Sequence, residues 1–176
     1  MLKAAGLAFA DHGFHRASMD AIATAAGISK PMLYSYFGSK EGLYAAYIER
    51  SGQALLTALR NAAPTDASAR ERLSAGVLAF LTYVDEHRTG WAVLYNEAAT
   101  RGGPVAAEVS ALRARLTTMV AAAFTPERDD ATRTSQEAFA HAFVGAGESL
   151  ANWWLEHPDH PKDEIAHLLL RLAKTR

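Results

Sequence analysis

The chain has 176 residues, a formal net charge of −1 and no cysteine, and 49% of its residues are apolar. A chain of this length forms one or two domains. The charge excludes a surface that is basic overall, so any site for nucleic acid has to be local. The lack of cysteine excludes disulfides, thiolate nucleophiles and cysteine-based zinc sites, and it fits a reducing cytoplasm.

Alanine and leucine dominate the composition, with 37 and 19 residues against 7 valines and 4 isoleucines. Alanine and leucine favour helices, whereas β-branched residues favour strands, so the predicted fold class is all-α. No apolar run reaches the roughly 20 residues of a membrane span, so no membrane partner is expected. The first residues also lack the pattern of a secretory signal.

Glycines, prolines and capping residues divide the chain into about nine helical segments. In chain order the predicted segments are 1–12, 19–26, 30–36, 40–61, 68–88, 91–100, 105–124, 135–157 and 161–174. Thr89-Gly90 is expected to separate the fifth segment from the sixth. The polar stretch 125–134 is expected to form a loop.

The second and third segments predict a helix-turn-helix, because a short turn that contains Gly27 joins them. Between positions 21 and 40 the chain has two lysines and no acidic residue. Lysine, serine and tyrosine side chains bind phosphate oxygens, and an exposed helix of this kind can enter a major groove. Periodicity alone also fits a plain helical corner with two solvated lysines.

Residues 22–43, which read IATAAGISKPMLYSYFGSKEGL, resemble the N-terminal domain of TetR-family transcriptional regulators. The resemblance extends over roughly residues 1–48 and includes Gly13-Phe14 and Ser18. It implies phosphate contacts from Ser18, Tyr36 and Lys40, and base-edge or mixed contacts from the residues of the reading helix. The full set of expected DNA-binding residues is Ser18, Ser29, Lys30, Pro31, Tyr34, Ser35, Tyr36 and Lys40.

Two departures from the family pattern bear on DNA binding. Met32 stands where the family more often has a small hydroxyl residue or asparagine, and its side chain can contact a thymine methyl group. Family members also usually carry a basic arm before the position of Met1. Without such an arm, DNA affinity and its dependence on salt would both be lower.

The resemblance implies a helix-turn-helix domain over 1–45 and a helical ligand-binding and dimerisation domain over 46–176. A reader of this size gains specificity as a homodimer on a palindromic operator, with the two reading helices about 34 Å apart. The last two segments carry apolar residues at helical spacing. The expected interface residues are Phe139, Phe143, Gly147, Leu150, Trp154, Ile165, Leu168, Leu169 and Leu172. Alternatively, these residues pack inside their own subunit.

A pocket between the middle helices is the expected site for a small apolar or aromatic effector, because ligand pockets are mostly apolar with a few polar groups. The expected lining residues are Phe80, Tyr83, Trp91, Tyr95, Phe124, Phe143 and Glu148. Each aromatic residue in this set is equally compatible with an ordinary place in the core.

The sequence therefore predicts a homodimeric repressor that binds double-stranded DNA, requires no cofactor or metal, and is released by a small molecule. One alternative is a helical ligand-binding or adaptor bundle that does not bind DNA. A second is a metal-dependent enzyme, because His157-Pro158-Asp159-His160 lies close to Glu156 and His167 and histidine and carboxylate side chains bind zinc or iron. The proline and the expected surface position favour a solvated loop instead.

Overall fold

The computed structural model describes the backbone of residues 1–97, 104–123 and 130–173, and their side chains except at 94–97, 104–105 and 130–133. Within these ranges the chain is helical and has no strand, which confirms the all-α fold class. The helices are α1 (Leu2–Arg16), α2 (Met19–Ala25), α3 (Lys30–Phe37), α4 (Lys40–Arg60), α5 (Ala69–Glu86), α6 (Arg88–Glu97), α7 (Pro104–Ala122), α8 (Asp130–Glu156) and α9 (Lys162–Ala173).

One predicted boundary agrees with the structure and two are wrong. Helix α1 is interrupted at Gly13, whose φ of 68° and ψ of 168° are not helical, so its first stretch ends where the sequence predicts and a short further turn follows up to Arg16. Helix α5 ends at Glu86, and Thr89-Gly90 lies inside α6; the amide of Trp91 donates to the carbonyl of His87 at 2.8 Å. Helix α8 begins at Asp130, inside the predicted loop 125–134, and residues 125–129 lie outside the described ranges. Extending an existing helix adds one backbone hydrogen bond per residue, so polar residues can join the start of a long helix.

Serine side chains cap the N-termini of several helices, as the sequence predicts. The hydroxyl oxygens of Ser18 and Ser29 accept from the amides of Ala21 and Met32 at 3.4 and 3.3 Å. Before α5, Ser68 and Glu71 form a reciprocal capping box, in which the Glu71 carboxylate accepts from both the hydroxyl and the amide of Ser68. These hydrogen bonds hold the pKa of Glu71 below its ordinary value, and the bond from the Ser68 hydroxyl has the larger effect.

The described residues form two compact units, and the first combines Met1–Gln53 with His87–Leu112. Its centre is an aromatic cluster in which the ring of Tyr44 meets Phe9 edge-on at 4.5 Å. The Tyr44 hydroxyl donates to the carbonyl of Val93 at 3.4 Å, so its one polar group is satisfied inside the core. Helix α1 packs against α2 and α6 around this cluster. These contacts place α6 in the same unit as the three N-terminal helices.

The second unit combines Ala54–Glu86 with Arg113–Arg176. Helix α9 packs against both α5 and α8, and it buries Ile165 and Leu169 there. At the turn between α8 and α9, the indole N–H of Trp154 donates to the carbonyl of His160 at 2.9 Å. Helix α4 contributes residues to both units, since 40–53 belong to the first and 54–60 to the second.

Candidate functional site

Helices α2 and α3 form a helix-turn-helix whose inner side is fixed by apolar residues and by the turn. The amides of Gly27 and Ile28 donate to the carbonyls of Thr24 and Ala23, both at 3.1 Å, and Gly27 adopts a left-handed φ of 68°. A residue without a Cβ takes that conformation at no steric cost. On the inner face of α3, Leu33 is completely buried. The opposite face of α3 is therefore held outward by packing.

The outward face of α3 carries large side chains that no other described residue covers fully. Tyr36 is 67% exposed, Met32 46% and Tyr34 40%. Monomeric proteins bury most of their large apolar side chains, so a cluster of exposed ones marks a surface for binding. Seven of the eight predicted DNA-binding residues are exposed on α3 or at the starts of α2 and α3: Ser18, Ser29, Lys30, Pro31, Tyr34, Ser35 and Tyr36.

The eighth, Lys40, is partly buried and already has partners. Its ammonium donates to the carbonyl of His15 at 2.9 Å and lies 5.0 Å from the centre of the Phe14 ring. These contacts tie the end of α1 to the start of α4. An ammonium has three N–H donors, so two remain for a DNA phosphate.

Lys30 is paired as well, with a residue that the sequence analysis overlooked. Its Nζ lies 2.8 Å from Oδ2 of Asp20, in the first turn of α2. The hydrogen bond and the negative charge of Asp20 raise the pKa of Lys30. Asp20 lies immediately before the acid-free stretch of positions 21–40, so counting charges within that stretch left it out. The surface at α3 is therefore less positive than that count indicates.

The short connection between α3 and α4 depends on two glycines. Gly38 ends α3 at a left-handed φ of 72°. A Cβ on Gly42, in the first turn of α4, would lie 2.1 Å from the carbonyl oxygen of Phe37, far inside van der Waals contact. The hydroxyl of Ser39 accepts from the amide of Gly42 at 3.0 Å. The start of α4 is therefore fixed tightly against the end of α3.

A cavity of about 310 Å³ lies inside the second unit, between residues of α4, α5, α7, α8 and α9. Its lining is mostly apolar and includes Leu73, Met119 and Val120. This volume is at the lower end of the range for small-molecule sites. The polar groups in the lining are Arg60, Arg72 and Glu148. The Glu148 carboxylate is held by Arg113 through two hydrogen bonds, at 2.9 and 2.7 Å.

The predicted ligand-binding residues are only partly brought together. Phe80, Phe143 and Glu148 line the cavity. Tyr83 is buried elsewhere in the second unit, and Trp91 is buried in the first, so neither belongs to the lining. The side chain of Tyr95 and the whole of Phe124 lie outside the described residues.

Helices α8 and α9 place most of the predicted interface residues inside their own subunit. Phe143, Gly147, Trp154, Ile165 and Leu169 are buried there, and a Cβ on Gly147 would lie 3.5 Å from Leu169.

The side chains that these helices leave to solvent are neighbours of the buried ones. Phe139 and Leu150 are half-buried, whereas Leu168 and Leu172 are 42% and 49% exposed. Trp153, which the sequence analysis did not select, is 39% exposed. The apolar period selected Trp154, but it did not show whether that side chain faces its own subunit or a partner.

The histidines near the α8–α9 turn make local contacts. The His157 ring stacks on Trp153 at 4.3 Å, and Nδ1 of His160 lies 3.3 Å from the carboxylate of Glu164. Nowhere in the described ranges do three or more metal-binding side chains come together. None of the described helices is long and apolar enough to span a membrane.

Two family models match the chain. The model of bacterial regulatory proteins of the tetR family matches residues 1–47, and that of the tetracyclin repressor-like C-terminal domain matches residues 69–175. A curated relative, the HTH-type transcriptional activator FasR of Mycolicibacterium smegmatis, is 38% identical over 109 residues. That match covers 62% of this chain and 50% of FasR, so it spans about half the length of the relative.

Solved structures share the fold along almost the whole chain. A TetR-like transcriptional regulator from Rhodococcus sp. RHA1 is 41% identical, with a TM-score of 0.80 over 98% of this chain and 90% of the other. The regulator FadR from Bacillus subtilis, solved in complex with stearoyl-CoA, is 16% identical. Its TM-score is 0.78 over 96% of this chain and 95% of FadR.

Proposed function

The chain belongs to the TetR family of bacterial regulatory proteins, which are DNA-binding transcriptional regulators and not enzymes, and we propose that it is a homodimeric repressor controlled by a small apolar ligand. In this proposal α3 reads a palindromic operator, α8 and α9 hold two copies together, and the cavity of the second unit takes the effector. The observation that carries the proposal is the outward face of α3, where Tyr34 and Tyr36 are exposed while Leu33 is buried.

DNA reading by α3 divides into two kinds of contact. The hydroxyls of Ser18 and Tyr36 and the free N–H groups of Lys40 are suited to phosphate oxygens, which set the position of the protein on the duplex. Lys30, Pro31, Tyr34 and Ser35 lie along the helix that would enter the major groove, where base edges differ in their donors and acceptors. Ser29 begins that helix and already caps it through Met32.

Substitution of Tyr34 and Tyr36 tests this assignment. We expect Tyr34→Ala to weaken binding to a duplex selected from a random pool by roughly 10- to 100-fold, because a base contact of this kind is worth about 1–3 kcal/mol. Tyr36→Phe removes only one hydroxyl and is expected to cost less than tenfold. Fluorescence anisotropy with labelled duplex measures both. Leu78→Ala, an exposed residue of α5, is the matched control; unchanged binding by Tyr34→Ala would refute the assignment.

Dimerisation through α8 and α9 is supported by the side chains that those helices leave uncovered. Trp153, Leu168 and Leu172 are between 39% and 49% exposed and lie on the two C-terminal helices. Gly145 on α8 has open space where a Cβ would stand, so another helix can approach its backbone there. A two-fold arrangement of these helices would present two copies of α3 to successive major grooves.

Effector control is supported by the path of α4. This helix begins three residues after α3 ends, and its last turn supplies Leu59 and Arg60 to the cavity. A ligand that displaces the last turn of α4 can therefore move the helix that follows α3 directly. Such a ligand must bind the DNA-free form more tightly, since equal affinity for both forms shifts nothing.

The lining favours a ligand with an apolar body, and the stearoyl-CoA in the complex of Bacillus subtilis FadR also carries an apolar chain.

The anionic fluorophore 8-anilinonaphthalene-1-sulfonate is a convenient probe of this cavity. We expect it to bind at one site per chain and to be excluded by Gly76→Trp, because Gly76 lines the cavity and a Cβ there meets no atom within 4 Å. Leu78→Trp, on the exposed side of α5, is the control; equal probe binding by both variants would place the ligand elsewhere.

Activation is the second candidate direction, because the relative FasR is named a transcriptional activator. A reporter gene behind the selected operator distinguishes the two directions. Repression predicts that deletion of the regulator raises reporter output, whereas activation predicts that deletion lowers it.

A further inference from the structure

Asp20 and Lys30 connect the two helices of the helix-turn-helix on the surface that would face DNA. The ammonium and the carboxylate are 2.8 Å apart, and the two side chains are 45% and 70% exposed. An ion pair with this exposure contributes little to the stability of a fold. The pair instead affects which groups of a bound DNA the Lys30 ammonium can contact.

We propose that Asp20 is a specificity-determining residue, which holds Lys30 for base edges and withholds it from DNA phosphates. This inference rests on the proposed reading of DNA by α3. Lys30 is the first residue of that helix and Asp20 lies in the first turn of the helix before it. The competition between Asp20 and the phosphates is electrostatic, whereas a base edge carries no net charge.

A phosphate contact by Lys30 either displaces Asp20 or brings a second anion to the same ammonium. Displacement leaves an unpaired carboxylate close to the polyanionic DNA backbone, and sharing places two negative charges side by side, so both are unfavourable. A base contact makes no such demand, because an ammonium has three donors. One N–H can stay with Asp20 while the other two reach acceptors such as N7 and O6 of guanine. The pair therefore lowers sequence-independent affinity more than it lowers affinity for a matched site.

Asp20→Asn tests this directly, because it removes the charge and keeps the size of the side chain. We expect affinity for unrelated duplex DNA to rise about three- to tenfold. The slope of log affinity against log salt should become steeper by about 0.9, which corresponds to one additional phosphate contact. Affinity for the selected operator should rise less, so the ratio of specific to non-specific binding should fall.

Two controls separate the pair from a general effect of charge. Asp11→Asn removes one negative charge from an exposed position of α1, and we expect it to leave the specificity ratio unchanged. In a Lys30→Ala background, Asp20→Asn should no longer alter the ratio or the slope. If its effect persisted there, Asp20 would act by repulsion through space and the inference would be wrong.

The same experiments distinguish failure of this inference from failure of the proposed function. If Lys30→Ala weakens operator binding but Asp20→Asn changes neither slope nor ratio, only the role of Asp20 is refuted. If Lys30→Ala leaves operator binding unchanged while Tyr34→Ala weakens it, Lys30 makes no base contact and only this inference fails; if neither variant weakens operator binding, α3 is not the reading helix and both proposals fail. Circular dichroism of each variant at the assay temperature confirms that the helices are intact.

Discussion

Trp154→Ala lowers the free energy of unfolding by about 3–5 kcal/mol, the usual cost of emptying a buried tryptophan site. The indole of Trp154 is 4% exposed, and its N–H donates to the carbonyl of His160 at 2.9 Å. The substitution therefore leaves both a void and an unsatisfied carbonyl at the turn between α8 and α9. Because whole domains are stable by only about 5–15 kcal/mol, a large fraction of the protein should be unfolded at modest denaturant concentrations. Chemical denaturation followed by circular dichroism measures the effect.

The neighbouring tryptophan provides the matched control. Trp153 is 39% exposed and stacks on His157, so Trp153→Ala removes little packing from its own subunit. We expect this variant to keep its helices and to dissociate into monomers at protein concentrations where the unmodified chain is dimeric. Analytical ultracentrifugation measures the mass. A Trp153→Ala variant that stays dimeric would remove this residue from the proposed interface.

Gly42→Ala is expected to disturb DNA binding through the backbone. Its Cβ would stand 2.1 Å from the carbonyl oxygen of Phe37, and a backbone atom cannot rotate away as a side chain can. The end of α3 and the start of α4 must therefore separate. Overpacking of this kind costs about 1–3 kcal/mol and sometimes more. We expect a lower melting temperature and at least a tenfold loss of operator affinity, since the exposed face of α3 turns with the backbone.

Gly76→Ala is the control for this substitution, because a Cβ there meets nothing within 4 Å. Alanine in place of glycine inside a helix usually stabilises by up to about 1 kcal/mol. The control should therefore melt at the same or a higher temperature and bind DNA normally. If Gly42→Ala behaved like Gly76→Ala, the tight junction between α3 and α4 would not control the orientation of α3.

Local signals in the sequence were sufficient to predict the helix-turn-helix. Ser18, Ser29 and Gly27 act through neighbours three or four residues away, so their roles as caps and turn follow from spacing alone. Once Leu33 is assigned to the core, helical periodicity also predicts which side chains of α3 face outward. The pairing of Lys30 with Asp20 joins residues ten positions apart. A charge count over a fixed window did not reveal it.

Other features depended on packing between distant segments. The apolar spacing of α8 selects Trp154 over Trp153, but the contacts of α8 with α5 and α9 decide that Trp154 faces its own subunit and not a partner. Aromatic residues such as Tyr83 and Trp91 fit both a core and a pocket by composition. Their burial away from the cavity is a property of the assembled units. Thr89-Gly90 also lies within α6, where packing of this helix against α1 outweighs the weak helix preference of glycine.

In the proposed complex, two copies of α3 read successive major grooves of one duplex. Methylation protection of guanine N7 on the selected operator tests it most directly, because that atom lies in the major groove. Two protected patches related by a two-fold axis are expected, with centres about 10 base pairs apart. A single protected patch, or none in the major groove of an operator that the protein binds, would contradict it.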